Sequence, residues 1–365
     1  MRIPAALICC ALAAPAAVQA QNAGSFTVGV TSRHVLPDGP YDWRGAGSHA
    51  LAETIWYPAD AAAVATPQRF GPPDAPLFEA AAAAPEAKLA ASPIKLPLVM
   101  LSHGTGGTAQ SLAWFASALA AHGYVVAAVN HPGNNAVEPA TVQGFALWWL
   151  RARDISAALD DLLDDPDFGR RIDRRRIGGA GMSLGGYTAI ELAGGITARR
   201  QFEATCRAAP EQVSCKAPPE YPDLVAKADA LAAADPDFAR ALHRDGASYR
   251  DRRIRAAFVM APALGPAVTA ASLRAISIPV AIVAGAADSI APVDANAKYY
   301  ADHIPGAKLT LFAGGVDHYT FLDVCTAKGR AAIPAICVDH PGVDRAAIQA
   351  ATAALATKFF DAALR

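Results

Sequence analysis

The chain is short of charge. Only 18% of its residues are Asp, Glu, Lys or Arg, and 32 basic side chains nearly cancel 33 acidic ones, so neither a disordered polyelectrolyte nor a basic nucleic-acid surface is expected. Long apolar runs are scarce as well. Although 53% of residues are hydrophobic, the long uncharged stretch near a terminus is Ile3 to Val18, too short to cross a bilayer comfortably; a polytopic membrane protein is excluded and the mature chain should carry no transmembrane segment. No C-x-x-C or H-E-x-x-H spacing occurs, which speaks against a zinc or other metal site, and no G-K-[ST] follows a glycine-rich turn. Heptads and internal repeats are missing too, leaving little support for a second domain.

What is present begins with Met1-Arg2, the apolar run and Val18-Gln19-Ala20: a positive start, an apolar middle and small residues before a cut. We read residues 1–20 as a secretory signal peptide and 21–365 as one domain. A lipid anchor at Cys9 or Cys10 is the rival reading, but small residues in the right order are missing before either. Removing the leader leaves Cys206, Cys215, Cys325 and Cys337, an even number suited to an oxidising compartment. Of three possible connectivities, the two local pairs close the smallest loops.

Alternating residues from Ser25 to Pro58 predict two antiparallel entry strands, and the Ala- and Pro-rich stretch 59–95 predicts a surface excursion with at most a short helix. From Leu96 onward, strands at 97–101, 124–129, 176–181, 254–260, 279–284 and 308–312 alternate with helices at 110–122, 145–163, 184–193 and 344–364. That alternation predicts an α/β fold, a mostly parallel sheet with helices on both faces. The insertion at about 196–253 is too long for an ordinary connection and is read as a helical cap.

Gly181-Met-Ser183-Leu-Gly185 is a G-x-S-x-G placed between strand and helix. A nucleophile on such a turn must hold strained dihedrals, with glycines two before and two after letting the backbones pack closely. A serine hydroxyl needs a base. If the chain order is Ser, acid, His, five of nine histidines precede Ser183 and drop out, leaving His243, His303, His318 and His340. His318 follows strand 308–312 in a glycine-containing loop, where an imidazole can reach over the sheet. Asp288, a few residues beyond strand 279–284, is the carboxylate expected to orient it, ahead of Asp294 and Asp317. The backbone N–H groups of Thr105, in Ser102-His-Gly-Thr105-Gly-Gly, and of Leu184 are the expected donors to an oxyanion. A nucleotide site is disfavoured because Leu184 occupies the third glycine's place in G-x-G-x-x-G.

With these pieces in order, the chain resembles the α/β-hydrolase superfamily. Val99-Met-Leu-Ser-His-Gly-Thr-Gly-Gly and Ala121-His-Gly-Tyr-Val-Val-Ala-Ala-Val-Asn-His131-Pro-Gly-Asn, with Val28-Gly-Val and Ile55-Trp-Tyr-Pro58, resemble the bacterial dienelactone-hydrolase-like group related to platelet-activating-factor acetylhydrolases. The resemblance implies an α/β-hydrolase fold and a serine carboxylic-ester hydrolase that needs no metal or organic cofactor. The substrate would be a small-molecule or polymeric ester met in the bacterial periplasm or outside the cell, with no nucleic-acid partner. The chain departs from these relatives twice. Position 183 is Ser where true dienelactone hydrolases carry Cys, and apolar Val259-Met-Ala261 stands where the acetylhydrolases carry their acid. Amide or peptide hydrolysis by the same triad, and a binding protein that kept the fold without turnover, are the alternatives.

Overall fold

The computed structural model describes residues 26–37, 44–92 and 94–365; the expected leader, with Cys9 and Cys10, lies outside them. Strands β1 (Thr27–Val35) and β2 (Leu51–Ala59) form an antiparallel pair. Where the sequence predicts a surface excursion, the structure instead has β3 (Thr66–Phe70) and β4 (Phe78–Pro85), paired antiparallel. Alanine is a poor strand former on its own. Here it is recruited by context, because β4 adds in parallel to β1 and buries Ala83 and Ala84.

The core then alternates: β5 (Leu96–Ser102), α1 (Ala113–Ala121), β6 (Val125–Val129), α2 (Val142–Ala146), α3 (Arg151–Asp164), β7 (Ile172–Met182) and α4 (Leu184–Ala193). The single helix expected over 145–163 is broken, since Leu147 leaves helical geometry and a 3-10 turn, Trp148–Leu150, intervenes. Helices α5 (Arg199–Ala208), α6 (Leu224–Ala234) and α7 (Pro236–Leu242) follow. The chain continues with β8 (Ile254–Met260), α8 (Ala270–Arg274), β9 (Val280–Gly285), α9 (Ala297–His303), β10 (Lys308–Phe312) and β11 (Val324–Cys325). It ends in α10 (Ala327–Ala332), α11 (Pro334–Cys337) and α12 (Arg345–Ala363). Cys206 is joined to Cys215 and Cys325 to Cys337. Among the described residues no helix is long and apolar enough to cross a membrane.

The sheet order is β10-β9-β8-β7-β5-β6-β2-β1-β4-β11, with β3 on β4, and the six strands from β10 to β6 are mutually parallel. The chain leaves β5 for β6 on one side and returns to β7 on the other. This makes the carboxyl ends of β5 and β7 a topological switch point, where a parallel sheet opens a crevice. Alternation along β5 explains its complete burial: Val99 and Leu101 meet α1 and α12 on one face, while Leu98 and Met100 meet Ile155 and Leu159 of α3 on the other. Helix α4 packs beside α3, against β8 and β9, through Tyr187, Ile190, Val259 and Ile282.

Helix α4 also buries an acid. Glu191 is fully enclosed; the Thr197 hydroxyl donates to Oε1 at 2.5 Å, while Oε2 has no partner. Burial pushes its pKa up to about 8, against the pull of the Thr197 and Tyr187 hydroxyls. A carboxyl whose folded pKa is raised contributes most below the unfolded value near 4.5, and that contribution is lost as pH climbs from there through 8, with no further loss above. Relative to the parent, Glu191→Gln should therefore have its smallest effect on urea stability near pH 4, where the carboxyl is protonated in both states. Its stabilisation relative to the parent should grow between pH 4.5 and 8 and level off above, and be larger at pH 9 than at pH 6 by about 2–3 kcal/mol. Chemical denaturation at pH 6 and 9 checks this, and equal effects at both would refute it.

Candidate active site

Ser183 sits between β7 and α4 with φ 57° and ψ −122°, a conformation that costs an ordinary residue about 1–3 kcal/mol and that surrounding structure must enforce. The enforcement is visible. The Ser183 amide donates to the Met260 carbonyl at 2.9 Å, and the Ser183 carbonyl accepts from the Ala263 amide at 3.1 Å. The flanking glycines leave no room for alternatives. A Cβ on Gly185 would stand 1.9 Å from the Ser102 carbonyl oxygen, and one on Gly181 2.2 Å from that of Gly185.

Two further loops rise from the same rim. His318 Nδ1 lies 2.8 Å from Asp288 Oδ2, and Asp288 Oδ1 accepts from the amides of Ile290 and Ala291 at 3.1 and 2.6 Å. Both side chains are buried, and a carboxylate so held fixes the ring orientation and its Nδ1–H tautomer. The structure thus brings Asp288 and His318 together, while Val259-Met260-Ala261, at the end of β8, offers no acid. Ser183, 8% exposed, is at this rim too, though no hydrogen bond joins its Oγ to the imidazole.

The rival acids and bases go elsewhere. Asp317 accepts from the amides of His318 and Ser289, at 2.7 Å each, and from the Ser289 hydroxyl, so it clamps the Asp288 loop to the His318 turn. Burial alone would raise its pKa; the Ser289 and His318 amides outweigh it and hold the carboxyl below its ordinary value. Asp294 is exposed in the turn before α9. His303 bonds its own helix at the Tyr299 carbonyl, His340 is 3.5 Å from Asp317, and His243 ends α7. Helix α1 anchors the His318 turn from below: Trp114 donates through Nε1 to the Phe321 carbonyl and through its amide to Asp323, both at 2.9 Å.

The loop after β5 lies against the serine turn, with the Ser183 Cβ 3.3 Å from where a Gly104 Cβ would be. Neither the Thr105 nor the Leu184 amide has a hydrogen-bond partner among the described residues. Asn134 Oδ1 accepts from the Gly106 amide at 2.9 Å, and the Ala136 amide donates to the Gly107 carbonyl, so the loop is pinned from the β6 side. Above it, the Glu220 side chain reaches to 3.1 Å from the position of a Gly106 Cβ. Trp149 is fully buried core, and half-buried Trp148 packs edge-on against Phe202 of α5. No group of three or more His, Cys, Asp or Glu poised for a metal occurs among the described residues.

Sequence reasoning missed a second constellation beneath this loop. Ser102 Oγ is 2.8 Å from His131 Nε2, and His131 Nδ1 is 2.7 Å from Asp154 Oδ2, which also accepts from Arg44. Ser102, His131 and Asp154 are at most 1% exposed. Burial, reinforced by Arg151, His103 and Arg44, holds His131 well below the ordinary imidazole value and keeps the ring neutral. The order argument had set His131 aside. A signal did exist, because Arg151 and Asp154 continue the apolar stripe Ile155, Ala158, Leu162 at helical spacing, and charges inside a buried stripe require partners.

Comparison with known proteins agrees with this architecture. The family described as "Platelet-activating factor acetylhydrolase, isoform II" matches residues 78–144, a stretch that contains Thr105 and His131 but not Ser183, Asp288 or His318. Two cutinases of Thermobifida alba, est1 and est2, are each 34% identical over 97 residues, 26% of this chain and 29% of theirs. The match therefore spans less than a third of the length of these relatives. Over the full fold, a ferulic acid esterase from Streptomyces cinnamoneus superposes with a TM-score of 0.59 at 22% identity, covering 97% of this chain and 92% of that one. The chain has the α/β-hydrolase fold.

Proposed function

We propose that the protein is a serine hydrolase that cleaves carboxylic esters through an acyl-enzyme. The observation that carries this reading is the strained, positive-φ Ser183 on a strand-to-helix turn, at the rim where Asp288 holds His318. His318 takes the Ser183 proton as Oγ attacks the ester carbonyl. The Thr105 and Leu184 amides receive the oxyanion, the protonated imidazole returns its proton to the departing alcohol, and water repeats the sequence to release the acid. A free Ser183 Oγ is compatible with this, since catalytic hydrogen bonds in unliganded sites often form only around substrate. Helices α5 to α7 act as the cap and shape the acyl or alcohol side of the pocket, and the two disulfides favour an exported protein working in the periplasm or outside the cell.

A second reading is favoured by one observation: Ser102, His131 and Asp154 already have the complete hydrogen-bond connectivity of a triad. Ser102, however, lies within β5 at 1% exposure, with no path for an acyl group. A fluorophosphonate probe followed by peptide mapping separates the two. Modification is expected on Ser183; modification on Ser102 would move the active site, and none at all would favour a binding protein on a hydrolase fold.

Ser183→Ala should lower kcat on a chromogenic short-chain ester by at least about 10³-fold with unchanged circular dichroism. His318→Ala should be comparable and Asp288→Asn smaller. A loss below tenfold in pure Ser183→Ala enzyme would reject the nucleophile. Matched ester and anilide substrates test the leaving group. The ester should turn over faster by far more than its intrinsic reactivity advantage, and a preference for the anilide would turn the reading to an amidase.

A further inference from the structure

Arg151 is 1% exposed and among the described residues has no carboxylate partner. Its neighbours are accounted for: Asp154 pairs with Arg44, and His131 and His103 are neutral, each held low by burial and by Arg151 itself. A buried cation without a counter-ion is expensive and persists only where structure or function demands it. Guanidinium does not escape the cost by deprotonating.

Its contacts fall on both halves of the site. Nη2 donates to the His103 carbonyl and lies 3.5 Å from Ser102 Oγ, at the root of the loop that carries the Thr105 amide. Nε donates to Thr188 Oγ1 at 3.3 Å, and that hydroxyl donates to the Leu184 carbonyl at 2.9 Å, in the first turn of the helix that carries the Leu184 amide. Nη1 has no partner. Next to it, His103 accepts the His131 amide at Nε2, so its proton is on Nδ1, which donates to the Gly104 carbonyl at 2.6 Å. In a trans peptide that bond turns the Thr105 N–H the opposite way, away from the His103 ring.

We propose that Arg151 is a positioning residue of the oxyanion hole: its guanidinium ties the Thr105 loop to the Leu184 helix turn, and its uncompensated charge favours the anion formed between the two amides. The inference rests on the ester-hydrolase reading above. In the ground state the cation is unbalanced; in the tetrahedral intermediate a negative oxygen faces the same two backbone segments. An interaction that improves only as that charge develops lowers kcat when removed and leaves substrate binding alone.

The test is Arg151→Met, close in length and without charge. With a short-chain ester we expect kcat to fall at least about 30-fold and KM to stay within threefold. Affinity for a trifluoromethyl ketone, whose hemiketal with Ser183 bears the oxyanion, should fall by the same factor as kcat/KM, while a non-hydrolysable ether analogue binds unchanged. Melting temperature should not drop, because a buried unbalanced charge has been removed. A kcat within threefold of the parent, or equal weakening of ketone and ether, would overturn the proposal. Should Arg151→Met fail to fold, Thr188→Val severs the link from Arg151 to α4, together with the hydroxyl's bond to the Leu184 carbonyl. It should lower kcat at least threefold with KM unaltered, and an unaltered kcat would overturn the proposal. If the unsubstituted protein itself neither turns over esters nor reacts with a phosphonate, the ester-hydrolase reading fails first and this one with it.

Discussion

The arrangement depends on one close approach, the backbone of Gly185 pressed onto the carbonyl of Ser102, where even a methyl group would stand 1.9 Å from oxygen. Strands β5 and β7 lie side by side in parallel with Ser102 opposite Gly181, so their following turns leave the sheet together. A side chain at 185 would force them apart. Their contact places the Thr105 and Leu184 amides in one neighbourhood, lets Arg151 span from the His103 carbonyl to Thr188, and seats Ser183 beside Gly104. The positive φ of Ser183 is the conformational cost of that proximity, imposed by the bonds to Met260 and Ala263.

Two Ser, His and Asp sets with the same connectivity available to them lie within this small volume, and environment separates their roles. In the buried set every donor has found its acceptor: Ser102 to His131, His131 to Asp154, with Arg44 balancing the carboxylate. Ser102 has no exposed face left for a substrate, and a ring kept neutral by burial and three nearby basic residues is a poor base. The rim set is unfinished by comparison. His318 and Asp288 are paired, yet Ser183 Oγ makes no bond to the ring. A closed network stabilises and positions; an incomplete one is what chemistry requires.

Much of this was legible in the sequence because the deciding features are local. Buried strands such as Leu98-Val-Met-Leu101 are continuous apolar runs, and the G-x-S-x-G turn is a contiguous pattern whose neighbours fix its place. Asp288 and His318 could be singled out since each follows a strand whose position in the alternation was readable. What failed was decided at a distance. The β4 alanines look like loop or helix and become a strand only through pairing with β3 and β1. The helix expected over 145–163 breaks near Leu147, in a segment where Gly144 packs onto the Gly133 backbone at a distance no side chain would allow. His131 carries no local mark, and Arg151 only its place in a buried stripe; the partners of both lie 23 to 49 residues away.

The two disulfides act on parts of the fold with different needs. Cys325–Cys337 sits beside a segment already dense in polar contacts: Arg345 bonds Asp339 and the Asp323 carbonyl, and Thr320, in the His318 turn, donates to Asp339. There the crosslink adds stiffness beside the turn that carries His318. Cys206–Cys215 joins α5 to the turn after it, and neither α5 nor α6 buries a single residue fully. A segment with so little core of its own opens at low free-energy cost. The covalent link closes a short loop and narrows the states it can visit when loose. The rim turns are thus held by tight backbone contacts, while α5 and α6 bury no residue fully. A substitution in α5 or α6 therefore leaves the contact between Gly185 and Ser102 undisturbed.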